Sequence, residues 1–126
     1  MSSRPWMRFL GLPYRLGADP LKGRATDCVH LTFRTQELDG VKIPPIKREW
    51  YHALCRKDIS PLMQDWYDLT TQTQGPEQHA MTVLSRNPEF SLAVVIDGGL
   101  LSIRENTGAI WTPLSSLRPM NYRRFQ

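Results

Sequence analysis

An α+β domain, with N-terminal helices packed on a small antiparallel sheet, is the fold class this sequence predicts. Three observations carry the prediction. Helix caps and helix-spaced apolar residues occupy residues 27–69. The period then changes, and short apolar runs follow at 80–84, 91–96, 100–104 and 109–112. Between the later runs stand Asp97-Gly98-Gly99 and Asn106-Thr107-Gly108, residues that tolerate the positive φ of tight hairpin turns. Helices first and strands second is the α+β order, and 126 residues suit one domain that buries its own core.

The elements follow in order. Residues 4–10 read as a short helix or lead-in, after which Gly11, Pro13 and Gly17 impose turns. Asp19-Pro20 and Lys22-Gly23 extend the loop to Thr26 or Asp27, either of which can accept a bond from a free N–H at a helix start. A helix is expected from 27 to 38, with Cys28 in its first turn and Gly40 closing it. Lys42 to Ile46 is held extended by Pro44 and Pro45. Two more helices are expected at 47–57 and 60–69, the second with Ser60 as cap and Pro61 at its first position. Residues 70–78 read as a polar loop, Pro88 as part of a loop between strands, and the chain after Leu114 as a basic tail lying over the domain or reaching to a partner.

Composition narrows the function. The net charge is +4, with Arg4, Arg8, Arg118, Arg123 and Arg124 concentrated at the two ends, a pattern that suits an acidic partner, a phosphate or solvent. Nucleic acid is set aside because no reading motif accompanies these arginines. No apolar run approaches the ~20 residues that span a bilayer, so no membrane is expected. The N-terminus lacks the apolar core of a secretion signal. Cys28 and Cys55 do not make a disulfide framework, and Cys55 has no second Cys or His at the spacing of a zinc site. No metal and no cofactor are expected.

The chemistry-bearing residue is Cys28. A thiol in the first turn of a helix faces the positive end of the helix dipole, which stabilises a thiolate. The stretch Gly11-Leu-Pro-Tyr-Arg-Leu-Gly17, followed by Asp27-Cys28-Val29-His30-Leu31 and then by Leu92-Ala-Val-Val-Ile-Asp-Gly98, resembles the NlpC family, papain-like cysteine peptidases that cleave the peptide stems of bacterial cell walls. The resemblance implies a papain-like NlpC-type fold over residues 1–126, with a helical insertion at about 46–75. It makes Cys28 the nucleophile and places Tyr14 and Asp27 in the substrate pocket. It puts Ser91 where the family has its catalytic His, and Ser102 near the family's third polar residue. Val29 and His30 replace the family's usual Ser-Gly.

A cysteine hydrolase needs a base beside the thiolate, and a serine hydroxyl is no base near neutral pH. The expectation is therefore a catalytically degenerate NlpC-like domain, its Cys28 vestigial, acting as a structural or adaptor component of a larger assembly such as a bacteriophage tail. Protein partners in that assembly are implied, with peptidoglycan as a further ligand, and a location in the virion or in the cytoplasm before assembly. The alternative is an active cysteine endopeptidase on peptidoglycan stem peptides, with His52 on the insertion as the substitute base. His79 starts the strand before Ser91, at the wrong end of the sheet, and His30 stands only two residues from Cys28. Trp50 and Trp66 on the inserted helices, with Arg123 and Arg124 in the tail, are the expected interface residues, since aromatics and arginines are enriched at interface centres.

Overall fold

The computed structural model describes residues 4–86 and 89–126. Three helices and a six-stranded, wholly antiparallel sheet make the α+β fold. Helix α1 spans Cys28–Leu38, α2 Arg48–Leu54 and α3 Ser60–Leu69. The strands are β1 Thr70–Gln72, β2 Met81–Arg86, β3 Glu89–Ile96, β4 Gly99–Arg104, β5 Gly108–Pro113 and β6 Arg123–Phe125, in the spatial order β1-β6-β2-β3-β4-β5. Short 3-10 turns at Pro5–Phe9 and Leu114–Ser116 complete it. Pro88, expected in a loop between strands, lies outside the described residues.

Local chemistry explains most boundaries. Asp27 is the N-cap of α1, in extended conformation with its side chain accepting from the His30 N–H. The β3–β4 hairpin turns on Asp97 and Gly98, both at positive φ (52° and 82°), which is the two-residue turn whose twist matches paired strands. Gly99, next in line, must be glycine for another reason: a Cβ there would run into the Trp111 indole.

The segment after residue 69 is not all loop, because Thr70–Gln72 forms β1. Of the two expectations for the basic tail, the first holds: it lies over the domain. Its residues Leu114, Leu117, Met120 and Tyr122 cover one face of the sheet, and the chain then enters the sheet as β6, between β1 and β2. Arg123 is fixed there, donating to the Thr70 hydroxyl and carbonyl, both at 2.8 Å, with its guanidinium 4.7 Å from the centre of the Tyr67 ring.

The sheet separates two cores. On the helix side, Leu92, Val94, Ile96, Leu101 and Ile103 pack with Leu31, Phe33, Trp50 and Trp66. On the far side, Ala93, Val95 and Leu100 pack with Ala80 and Tyr122. This division is strand alternation, since successive side chains leave opposite faces. Trp50 and Trp66, expected at an interface, are therefore core residues, 1% and 4% exposed. The Trp50 N–H donates to Asp65 at 2.8 Å, and its ring meets Phe33 edge-on. Burial of the aromatic stripe is what docks α2 and α3 onto the domain. Among the described residues no helix is long and apolar enough to cross a membrane.

Candidate functional site

The site is built where the Gly11–Gly17 loop meets the start of α1. Backbone bonds staple the loop to the residue before the cap: Arg15 N–H donates to the Thr26 carbonyl at 3.0 Å and Thr26 N–H to the Pro13 carbonyl at 3.1 Å. Tyr14 is half-buried against the helix-side core. Asp27, 1% exposed, is saturated with donors. Its Oδ2 accepts from Gly17 N–H at 2.8 Å, and its Oδ1 accepts from His30 N–H at 2.8 Å.

Two residues outside the expected set join this carboxylate. The His30 ring Nδ1 lies 3.0 Å from Asp27 Oδ1 and 2.8 Å from the Tyr51 hydroxyl. The Tyr51 phenol also hydrogen-bonds Asp27, so carboxylate, imidazole Nδ1 and phenol form one buried cluster. Burial above all, and then the charge of Asp27, pushes the Tyr51 phenol far above its ordinary range. Tyr51 comes from α2, so the inserted segment contributes directly to the site, although His52, the expected substitute base, is exposed.

Cys28 is the first residue of α1 and its thiol is enclosed. Backbone amides do favour a thiolate: that of Leu92 on β3 and, at the helix start, those of Cys28 and Val29 act to lower its pKa. Burial is the larger effect and the Asp27 charge adds to it, so the thiol is pushed up to about 12. The expectation of a modestly activated thiol is thereby corrected. Desolvation outweighs the helix end, and Cys28 is a protonated core side chain at neutral pH.

The structure brings Tyr14, Asp27 and Cys28 together and sends the two serines elsewhere. The strand partner of Ser91 is Leu84, which packs with the far-side core, and alternation along β3 puts Ser91 with Ala93 and Val95. Its hydroxyl donates to the Ile103 carbonyl at 3.3 Å. Ser102, buried and paired with Ile110, shares the Leu100 face of β4. Cys28 instead abuts Leu92, whose side chain lies in the helix-side core. Of the remaining expected residues, Arg123 is a sheet fastener, and Arg124 reaches Glu77 at 3.4 Å.

None of the three histidines hydrogen-bonds the thiol, since His30 is held by Asp27 and Tyr51, His79 bonds Asp39, and His52 is exposed. Asp27-x-x-His30 did carry a readable signal, because the third residue of a helix can reach back to its cap in the manner of a capping box. No local signal marks Tyr51, which arrives from 21 residues beyond His30. Among the described residues no group of three His, Cys, Asp or Glu could hold a metal ion. Comparison of the chain with family models, with curated proteins and with solved structures returns no match.

Proposed function

We propose that this chain is a catalytically degenerate, NlpC-like domain that works as a structural or adaptor component of a larger assembly, such as a bacteriophage tail. The observation that carries the reading is the state of Cys28: a nucleophile position retained at a helix start, its thiol enclosed and pushed up to about 12, with no imidazole bonded to it. Amide hydrolysis requires a thiolate to attack and an acid to protonate the leaving amine. The arrangement supports neither step. What the old pocket offers instead is rigidity: one buried carboxylate ties together the Gly11–Gly17 loop, α1 and α2 through Gly17, His30 and Tyr51.

A second reading, an active endopeptidase on peptidoglycan stem peptides, draws on the contact between His30 and Asp27, a paired imidazole and carboxylate within one helical turn of Cys28. One experiment separates the two. Purified chain is incubated with muropeptides and the products read by mass spectrometry, while tagged chain is tested for co-sedimentation with assembled particles. No released stem-peptide fragment together with co-sedimentation is the expected result. Cleavage abolished by Cys28→Ser would select the peptidase, and absence of the chain from any particle would remove the assembly role.

A further inference from the structure

The stretch from Arg4 to Arg24 combines exposed apolar side chains with exposed cations. Of the seven large hydrophobic side chains exposed among the described residues, Met7, Leu10, Leu16 and Leu21 lie in it. The same stretch exposes Arg8, Arg15, Lys22 and Arg24, none of which has an ion-pair partner among the described residues. Its one acid, Asp19, is neutralised by Arg34 from outside the stretch at 2.9 Å. Apolar exposure thus coincides with uncompensated positive charge.

Shape decides what kind of partner fits. The Pro5–Phe9 turn is a ridge between two concavities. A groove of about 420 Å³ runs between Met7 and Leu10 on the turn and Ile110 and Trp111 of β5. A second, of about 220 Å³, lies between Arg8 and Phe9 and the loop at Pro20, Leu21 and Gly23. The first wall is held in place: Trp6 stacks on Trp111 with ring centres 6.1 Å apart and donates its N–H to Asp97 at 2.7 Å. A lipid surface takes up protruding apolar side chains, and single-stranded nucleic acid stacks on exposed aromatic faces. Concave grooves, one apolar and the other of mixed lining walled by Arg8, instead receive side chains from an acidic polypeptide, with charge setting orientation and apolar anchors setting affinity.

We propose that this face docks an acidic segment of a partner protein, with two aliphatic or aromatic side chains entering the grooves on either side of the Pro5–Phe9 turn and its Asp or Glu residues meeting Arg8 and Lys22. The proposal deepens the assembly reading by naming its docking surface and the chemistry of its partner, and it rests on that reading. It replaces the aromatic insertion, whose tryptophans are buried, as the contact face.

The test is an array of random peptides of about 12 residues probed with the full chain. The best binder is then measured by fluorescence anisotropy from about 50 to about 500 mM salt, beside phosphatidylglycerol vesicles and duplex DNA. Selected sequences should carry Asp or Glu around two aliphatic or aromatic residues, and affinity should fall roughly tenfold over that salt range. Arg8→Glu with Lys22→Glu, and separately Met7→Asp with Leu10→Asp, should each weaken binding roughly tenfold with unchanged thermal melting. Leu10→Ser serves in place of the aspartate pair if that variant melts early. Selection of neutral or basic peptides, no selection, indifference to the apolar substitutions, or tighter binding to vesicles or DNA overturns the proposal. Such a failure leaves the assembly reading to the cleavage and co-sedimentation experiment, and cleavage there removes that reading whatever the array shows.

Discussion

Leu100 and Leu101 are neighbours in β4 and are 2% and 0% exposed, yet they belong to different halves of the protein. Leu101 faces α1 and the aromatic side chains of Phe33, Trp50 and Trp66, in the same cluster as Cys28. Leu100 faces the returning C-terminal segment, where Leu114, Leu117 and Met120 are only partly buried. The helix face is closed by regular elements; the far face is closed by chain without a helix of its own beyond the Leu114–Ser116 turn. Cys28 lies on the first face, and Ser91 and Ser102 sit on the second. One residue of strand parity separates a partner of Cys28 from a residue that cannot reach it.

The largest effect that tests this contrast is thiol reactivity. Cys55 is exposed and Cys28 is enclosed with its thiol at about 12, so near pH 8 a disulfide reagent should modify Cys28 roughly a thousandfold more slowly than Cys55. Stopped-flow labelling of Cys28→Ser and Cys55→Ser variants measures the two rates apart. Equal rates would mean that the helix face is open.

Next comes the pair of leucines. Leu101→Ala should lower stability by about 3–5 kcal/mol, because rigid helices around the site hold the cavity open, and Leu100→Ala by nearer 2 kcal/mol, because the partly exposed C-terminal side chains can close in. Urea unfolding of both variants gives the comparison directly. A larger loss at Leu100 would make the far face the more tightly determined of the two.

Alkaline pH probes the helix face alone through Cys28. Its thiol is at about 12 in the folded protein, against about 8.5 in an unfolded chain, so between those values the folded state holds a proton that the unfolded state has lost. The stability owed to this proton is whole below about pH 8.5 and declines as pH rises toward 12, by up to about 1.4 kcal/mol per pH unit. Burial raises Tyr51 and Tyr122 as well, so the measurement is the difference between wild type and Cys28→Ala, which should have the flatter slope. Parallel slopes would place the thiol in contact with water.

The smallest effect is the most pointed. Ser91→His puts an imidazole at the position where the resemblance to the NlpC family would place one, yet on the far face it should leave Cys28 labelling unchanged and produce no muropeptide cleavage. A measurable gain in either would show that this part of β3 does not keep the alternation on which the two-face description depends.

Much of the fold was legible because it is specified over a few residues. The Asp27 cap, Pro61 in the first turn of α3 and the Asp97-Gly98 turn each act on their own backbone, and the helices and the four strands β2 to β5 appear within a few residues of their expected positions. The strands β1 and β6 were not legible. Each is three residues long, and Thr70 finds Phe125, 55 positions further along the chain, a pairing that no local pattern encodes. Trp50 and Trp66 had the composition of an interface, and only the packing of α2 and α3 on the sheet shows them inside.

By itself, the sequence determined the α+β order, the helix that begins at Cys28 and the loop that precedes it, because caps, turns and apolar period are local free energies of backbone and side chain. The tertiary structure alone decided what the thiol became. Its burial beside Leu92, the parity that turns Ser91 and Ser102 to the far face, and the arrival of Tyr51 at His30 and Asp27 are contacts between distant segments. The acidity of a thiol depends on how much water and charge those contacts leave around it.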